Sequence, residues 1–315
     1  MDGSQSLNRR SFLKWAGAFT ATSVIGSTPL AALANDSHVR LTILHTNDVH
    51  SRIEPFPMDG GKYQGLGGVA RRAALVEGIR REERNVLLLD AGDIVQGTPY
   101  FNLFGGKPEL ELMSRMEYDA ATLGNHEFDN GPDGLLYMLQ YARFPIVIAN
   151  YDLSNTVLKG KTKEYTIFKK QGIRIGVFGL GIELAGLVDP RYHRDVRYLD
   201  PVATANTIAA RLRHDHKCRF VICLSHLGYR YSINRVSDIV LAAQTRDIDL
   251  IIGGHTHTFM TQPERVRNLD GKMTTINQVG FGGINLGRLD YVFERRTGKS
   301  KLVAANTRVV SGGFV

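Results

Sequence analysis

Short apolar runs alternate with helically spaced stretches along this chain, and five of the runs stop abruptly at polar groups. Residues 39–44 alternate as a strand and lead into His45-Thr46-Asn47-Asp48-Val49-His50. Residues 86–89 end at Asp90-Ala91-Gly92-Asp93, and residues 118–123 at Gly124-Asn125-His126-Glu127-Phe128-Asp129. Residues 220–224 deliver Ser225-His226, and residues 248–252 deliver Gly253-Gly254-His255-Thr256-His257. Between them, apolar residues recur at helical spacing over 69–84, 109–116, 134–142, 201–213 and 233–243. A further strand is expected over 145–149. A hairpin is expected where residues 165–169 and 173–178 flank Lys170-Gln171-Gly172. Residues 51–68 and 94–108, punctuated by Gly and Pro, read as loops. Residues 274–310 alternate like three antiparallel strands. Strand–helix alternation followed by antiparallel strands predicts an α/β (α+β) sandwich of mixed sheets with helices outside.

The first 34 residues do not fit this scheme. Asn8-Arg9-Arg10-Ser11-Phe12-Leu13-Lys14 is a twin-arginine pattern, a moderately apolar run follows, and Ala32-Leu33-Ala34 is a small-x-small cleavage site. Gly17, Thr20, Thr22, Ser23, Ser27 and Pro29 make the run too polar and broken for a spanning helix. The expected organisation is a signal peptide over 1–34 and one catalytic domain over 35–315. The mature protein is expected to be exported, periplasmic or beyond, without a stable membrane anchor. No repeat, low-complexity segment or Pro/Ser linker marks a second domain.

The formal charge of +8 changes little in this picture. The basic residues are scattered, with no stripe or stacking motif of the kind that binds nucleic acid. Two cysteines, Cys218 and Cys223, flank a strand. Five extended residues span roughly 16 Å, whereas a disulfide needs Cα atoms within about 7 Å. No bridge between them is expected, and Cys223 reads as an apolar filler.

The polar groups at the strand ends carry the chemistry. Asp48, His50, Asp93, Asn125, His226, His255 and His257 are all metal-capable. Alternate residues of an extended chain point the same way, so Asp48-x-His50 and His255-x-His257 are each expected to face one ion. These candidates are too many for one tetrahedral site and suit two divalent ions sharing Asp93. Oxygen and imidazole without thiolate fit Mn, Fe, Zn or Co. Two ions about 3.5–4 Å apart hold a bridging hydroxide and clamp a phosphoryl group for in-line attack. His126 is then placed to protonate the leaving oxygen or stabilise its charge, with Asp129 fixing its tautomer.

At these residues the chain resembles the calcineurin-like metallophosphoesterases: Asp-x-His, Gly-Asp, Gly-Asn-His-Glu, His, then Gly-His-x-His. More narrowly it is similar to the metal-binding domain of bacterial 5′-nucleotidases and UDP-sugar hydrolases. That likeness rests on residues 45–50 and 124–129, Gly67-Gly68-Val69-Ala70-Arg71, Gln96-Gly97-Thr98-Pro99, Leu224-Ser225-His226-Leu227-Gly228 and residues 253–257. The resemblance implies a four-layer sandwich. It implies one ion on Asp48, His50, Asp93 and His257, and another on Asp93, Asn125, His226 and His255. It makes His126 and Asp129 the catalytic pair, with Asn125 and His126 touching the substrate, and leaves His45 either supporting the ligands from behind or packing, not a ligand. The substrate implied is a small phosphate ester, with nucleotides the leading guess.

Relatives of this kind continue into a second domain that holds the base and the phosphate, and this sequence stops at Val315. Either the chain acts alone on small phosphate esters, or it is a catalytic subunit that needs a separately encoded substrate-binding partner. The rival activities are a thiosulfohydrolase of sulfur oxidation, shown by sulfate release, and a phosphodiesterase, shown by diester turnover. A scaffold that has lost catalysis would be expected to lack a ligand, and none of the seven positions is lost.

Overall fold

Burial dictates the element pattern. The computed structural model describes residues 37–312, so the twin-arginine segment lies outside the described residues. In chain order the first elements are β1 (His38–Thr46), α1 (Val69–Glu82), β2 (Val86–Asp90), α2 (Pro99–Phe104), α3 (Lys107–Arg115), β3 (Ala120–Ala121) and α4 (Gly131–Leu139). Then come β4 (Tyr151–Asp152), β5 (Tyr165–Lys170), β6 (Ile173–Leu180), α5 (Pro190–His193), β7 (Arg197–Tyr198), α6 (Pro201–Ala210) and β8 (Phe220–Ser225). The chain continues with α7 (Asp238–Gln244), β9 (Leu250–Gly253), β10 (Glu264–Arg267), β11 (Met273–Asn277), β12 (Asn285–Glu294) and β13 (Ser300–Val309).

Two sheets form the centre, ordered β13-β12-β1-β2-β3 and β10-β11-β9-β8-β6-β5, with β4 and β7 as a small ribbon. Val39, Leu41 and Ile43 of β1 and Leu87 and Leu89 of β2 pack with Ile175, Phe220, Ile222 and Ile252 of the other sheet. On the outer face of the first sheet, Leu44 and Leu88 pack with Val76, Leu110, Met113 and Leu135 from α1, α3 and α4. On the outer face of the second, Phe178, Val221 and Ile251 pack with Ala205, Ile208 and Leu241 from α6 and α7. The layers are helix, sheet, sheet, helix, which is the expected sandwich. Strands buried on both faces need to be apolar throughout, which explains the runs at β2 and β8.

Several expectations need correction. Residues 94–108 are not all loop: Pro99 opens α2, and Gly105 and Gly106 sit at φ 60° and 88° between α2 and α3. The glycines are helix ends, not signs of irregular chain. Residues 118–123 contribute only the two paired residues of β3, and residues 145–149 make isolated bridges instead of a strand. The helix expected over 233–243 begins only at Asp238, where the Ser237 side chain accepts the Val240 N–H. The closing segment does not form one antiparallel unit. β12 and β13 pair antiparallel in the first sheet, while β11 lies parallel to β9 in the second, with β10 on its outer edge. The hairpin between β5 and β6 is as expected, turning at Gln171 and Gly172, both with positive φ. Cys218 and Cys223 are buried thiols, and burial pushes Cys223 well up.

Candidate metal centre

Strand register aligns the chemistry. Thr46 pairs with Asp90 and Asp90 with Ala121 in the first sheet, and Ser225 pairs with Leu180 and Gly253 in the second. All of these pairings are parallel, so the ligand-bearing strands end at one edge of each sheet. That edge is where open α/β sheets bind ligands.

The side chains gather in two main groups. Ligand atoms of Asp48, His50 and His257 lie within 4.8 Å of one another, as do those of Asp93, His226 and His255. His50, Asp93 and His126 form a third such set, which shares His50 with the first group and Asp93 with the second. His226 Nε2 is 3.0 Å from Asp93 Oδ2 and 3.9 Å from Asp48 Oδ1. His50 Nε2 is 2.9 Å from His257 Nε2 and 4.0 Å from both carboxylates. Asn125 Oδ1 lies 2.9 Å from His255 Nδ1.

This convergence does not come from strand alternation. β1 ends at Thr46 and β9 at Gly253, and the ligand residues lie in the turns beyond. Asp48, His50, Asp93, His255 and His257 hold φ of 50°, 53°, 53°, 68° and 50°. Non-glycine residues rarely adopt that left-handed region, and they persist there where the surroundings over-determine them. His255 and His257 consequently fall in different groups, which corrects the expectation that this pair faces one point. Close approach also requires glycine. A Cβ at Gly124 would run into the Asp93 carboxylate, and one at Gly254 would lie 2.8 Å from both Ala91 O and His226 Nδ1.

Hydrogen bonds orient the ligands. His50 Nδ1 donates to Gln96 O at 3.0 Å and His226 Nδ1 to Ala91 O at 2.7 Å. A carbonyl can only accept, so each ring carries a proton on Nδ1 and turns its Nε2 to the centre. Asp48 Oδ2 accepts from Asn47 Nδ2 at 2.6 Å, and its carboxylate also accepts the His255 N–H. Asp93 Oδ1 accepts the His126 N–H at 2.9 Å, leaving Oδ2 facing His226 and His50.

The fit to a cation is visible in what is left over. His226 Nε2 is fully buried and has no aligned hydrogen-bond partner among the described residues. Two buried carboxylates face it. Burial works against a charged His226, yet Asp93 and Asp48 overcome it and push the ring up to about 10. His255 moves the other way, down to about 4, chiefly by burial. Oxygen and imidazole donors converging on two buried carboxylates fit divalent metal.

His126 stands at the rim. Its Nδ1 is 2.7 Å from Asp129 Oδ2. Burial disfavours its charge, but the Asp129 hydrogen bond and the nearby Asp93 charge outweigh it, so its pKa is raised. His45, by contrast, is sealed between the sheets, where its Nε2 accepts from Asn277 Nδ2 at 2.8 Å. Burial pushes it down to about 3, so it is a neutral packing residue.

One contributor was not assigned from the sequence. Glu127 is buried and accepts the backbone N–H groups of Asp93 at 3.0 Å, Ile94 at 2.7 Å and Gly124 at 2.5 Å. Burial, then the charge of Asp93, pushes its carboxyl up to about 7. Its signal in the sequence was its place in the Gly124-Asn125-His126-Glu127 pattern.

Comparisons with known proteins identify the family. A family model described as calcineurin-like phosphoesterase matches residues 41–259. The snake venom 5′-nucleotidase of Crotalus adamanteus is 36% identical over 275 residues, covering 81% of this chain and 45% of that protein. The chain thus spans about half the length of such relatives. The structure of a 5′-nucleotidase precursor from Thermus thermophilus superposes with a TM-score of 0.77 at 34% identity, covering 86% of this chain and 54% of that one. A sulfate thiohydrolase of the same organism shares the fold, with a TM-score of 0.68 at 19% identity over 85% of this chain and 56% of that one. The chain belongs to the calcineurin-like phosphoesterase family, a metal-dependent family, and within it is 5′-nucleotidase-like.

Proposed function

We propose that this chain is the catalytic domain of an exported phosphohydrolase that cleaves phosphomonoesters, nucleotides first among them. The observation that carries the reading is the linking of two ligand groups through His50 and Asp93, with the His126–Asp129 pair at their rim. Asp48, His50, Asp93 and His257 would hold one divalent ion and Asp93, Asn125, His226 and His255 a second. Bound there, the ions supply the Lewis acidity that polarises a phosphoryl group and activates water. Asn125 and His126 contact the phosphoryl group. Asp129 accepts a hydrogen bond from His126 Nδ1–H and favours the protonated ring, so the opposite edge of the ring presents the Nε2 proton to the leaving oxygen. Residues 1–34 direct export by the twin-arginine route.

The test is phosphate release by the processed protein, stripped with chelator and reloaded with Mn²⁺. AMP, UDP-glucose, an aryl phosphate and an aryl phosphodiester are compared in parallel. Metal-dependent turnover of the monoesters, with AMP preferred, is the expected result. Turnover confined to small aryl esters would mean that the catalytic half is intact and that nucleotide selectivity lies in another chain or has no counterpart. Turnover of the diester alone, or sulfate release from a thiol-linked sulfonate with no phosphate release, would overturn the reading. Export is checked by the N-terminal sequence of the mature protein, expected to begin at Asn35.

A further inference from the structure

A cavity of about 340 Å³ opens beside the ligand cluster. His50, His126 and His257 line its inner side, and Arg52, Phe56 and Phe281 its outer side. Its size admits a nucleoside monophosphate.

Arg52 is held firmly relative to the metal-capable residues. It follows His50 by two positions, in a turn where the Arg52 N–H donates to Val49 O at 3.1 Å and the Ile53 N–H to Ser51 O at 2.9 Å. Its guanidinium lies over the Phe56 ring, 4.3 Å from the centroid. Among the described residues it has no ion pair and no side-chain hydrogen bond. Arg71, by contrast, donates to Gly65 O. Arg52 alone brings an unused donor fork to the cavity, the geometry that suits phosphoryl oxygens.

The rest of the outer side is aromatic. Phe281 stacks on His257 with centroids 5.1 Å apart and meets Phe56 edge-on at 6.1 Å. Tyr63 and Phe259 extend this wall outward, 5.4 and 5.8 Å from Phe281. Phe259 is 40% exposed, so the wall continues to solvent. An unpaired cation and an aromatic surface, within one cavity of the ligands, is chemistry for a substrate that is anionic at one end and planar at the other.

We propose that Arg52 and the Phe56–Phe281 wall form a substrate subsite within this chain. Arg52 binds the anionic phosphoryl group, and the wall takes a planar aromatic leaving group such as a nucleoside. The proposal rests on the phosphohydrolase reading and names the substrate class for that same centre.

The experiment is calorimetric binding of two non-hydrolysable ligands to the metal-loaded protein: a phosphonate analogue of AMP, and propylphosphonate. Metal content of each variant is measured in parallel. Wild type is expected to prefer the adenosine ligand by about tenfold. Arg52→Ala is expected to weaken both ligands about tenfold at unchanged metal content, with partial recovery in Arg52→Lys. Phe56→Leu should cut the adenosine preference about fivefold, and Phe56→Tyr should keep it. Wild-type binding of both ligands by Arg52→Ala, an unchanged preference in Phe56→Leu, or metal loss in step with affinity would overturn the subsite. Phosphate release by the same wild-type preparation separates the two claims. A binding preference without turnover of any ester sinks the phosphohydrolase reading alone, and turnover without preference sinks the subsite alone.

Discussion

The Glu127 carboxylate accepts the backbone N–H of Asp93 at 3.0 Å, and it grips Ile94 and Gly124 as well. One buried side chain therefore ties together the two turns that carry Asp93 and Asn125. In Glu127→Gln the side-chain NH₂ would face backbone donors, stranding at least one at a cost of about 1–3 kcal/mol. The melting temperature is expected to fall, and metal affinity to drop about 10–100-fold. Scanning calorimetry and metal titration check this, and a variant indistinguishable from wild type in both would remove Glu127 from its role.

Asp93 is proposed to serve both ions, so its loss should cost more than the loss of any other candidate ligand. Asp93→Ala is expected to abolish metal-dependent turnover and most of the rise in melting temperature that Mn²⁺ gives the chelator-stripped wild type. Wild-type thermal stabilisation by metal in this variant would place the ions elsewhere.

His126 and Asp129 should separate catalysis from metal binding. His126→Ala is expected to keep its metal and lose about 10²–10⁴ in rate. Asp129→Asn, which keeps the shape at Nδ1 but not the charge, should lose less. Elemental analysis beside steady-state kinetics reads both, and unchanged turnover in His126→Ala would refute the acid role.

Far from the centre, Asp290 is buried and accepts from Thr42 Oγ1 at 2.6 Å, Arg288 Nε at 3.0 Å and Arg40 Nη2 at 3.0 Å. Arg288 also pairs with Glu83. Asp290→Ala would leave the buried Arg288 short of a partner, a loss of about 3–5 kcal/mol. The melting temperature should fall by about 10 °C, with turnover per folded molecule unaltered. Loss of specific activity without loss of stability would contradict the network's structural role.

Asp90 gives a pH prediction with a definite sign. Burial pushes its carboxyl up to about 7, although Thr46 and the Gly92 N–H donate to it. The unfolded value is about 3.9, so between about pH 4 and 7 the native state holds a proton that the unfolded chain has released. Its contribution is therefore full at low pH and is lost as pH rises through about 7. Asp90→Asn should flatten the fall in stability over that window, read as urea midpoints at pH 5 and pH 8. Parallel profiles for variant and wild type would show that Asp90 does not titrate there.

Most strand and helix identities, the layer order and the seven metal-capable residues were legible along the chain because each depends on local information. A run such as Leu87-Leu88-Leu89 is buried on both faces wherever it lies, and a polar cluster at its end marks an exposed edge. Boundaries were less legible where single side chains or glycines made them, as with Ser237 at the start of α7 and Gly105-Gly106 after α2. Tertiary structure decided what local patterns cannot hold. Parallel register brought Thr46, Asp90 and Ala121 level, left-handed turns at Asp48, His50, Asp93, His255 and His257 set the ligand groupings, and β11 paired with β9 instead of β12. Glu127 and Arg52 became meaningful only once distant turns met, since a buried carboxylate and an unpaired guanidinium are defined by their surroundings in space.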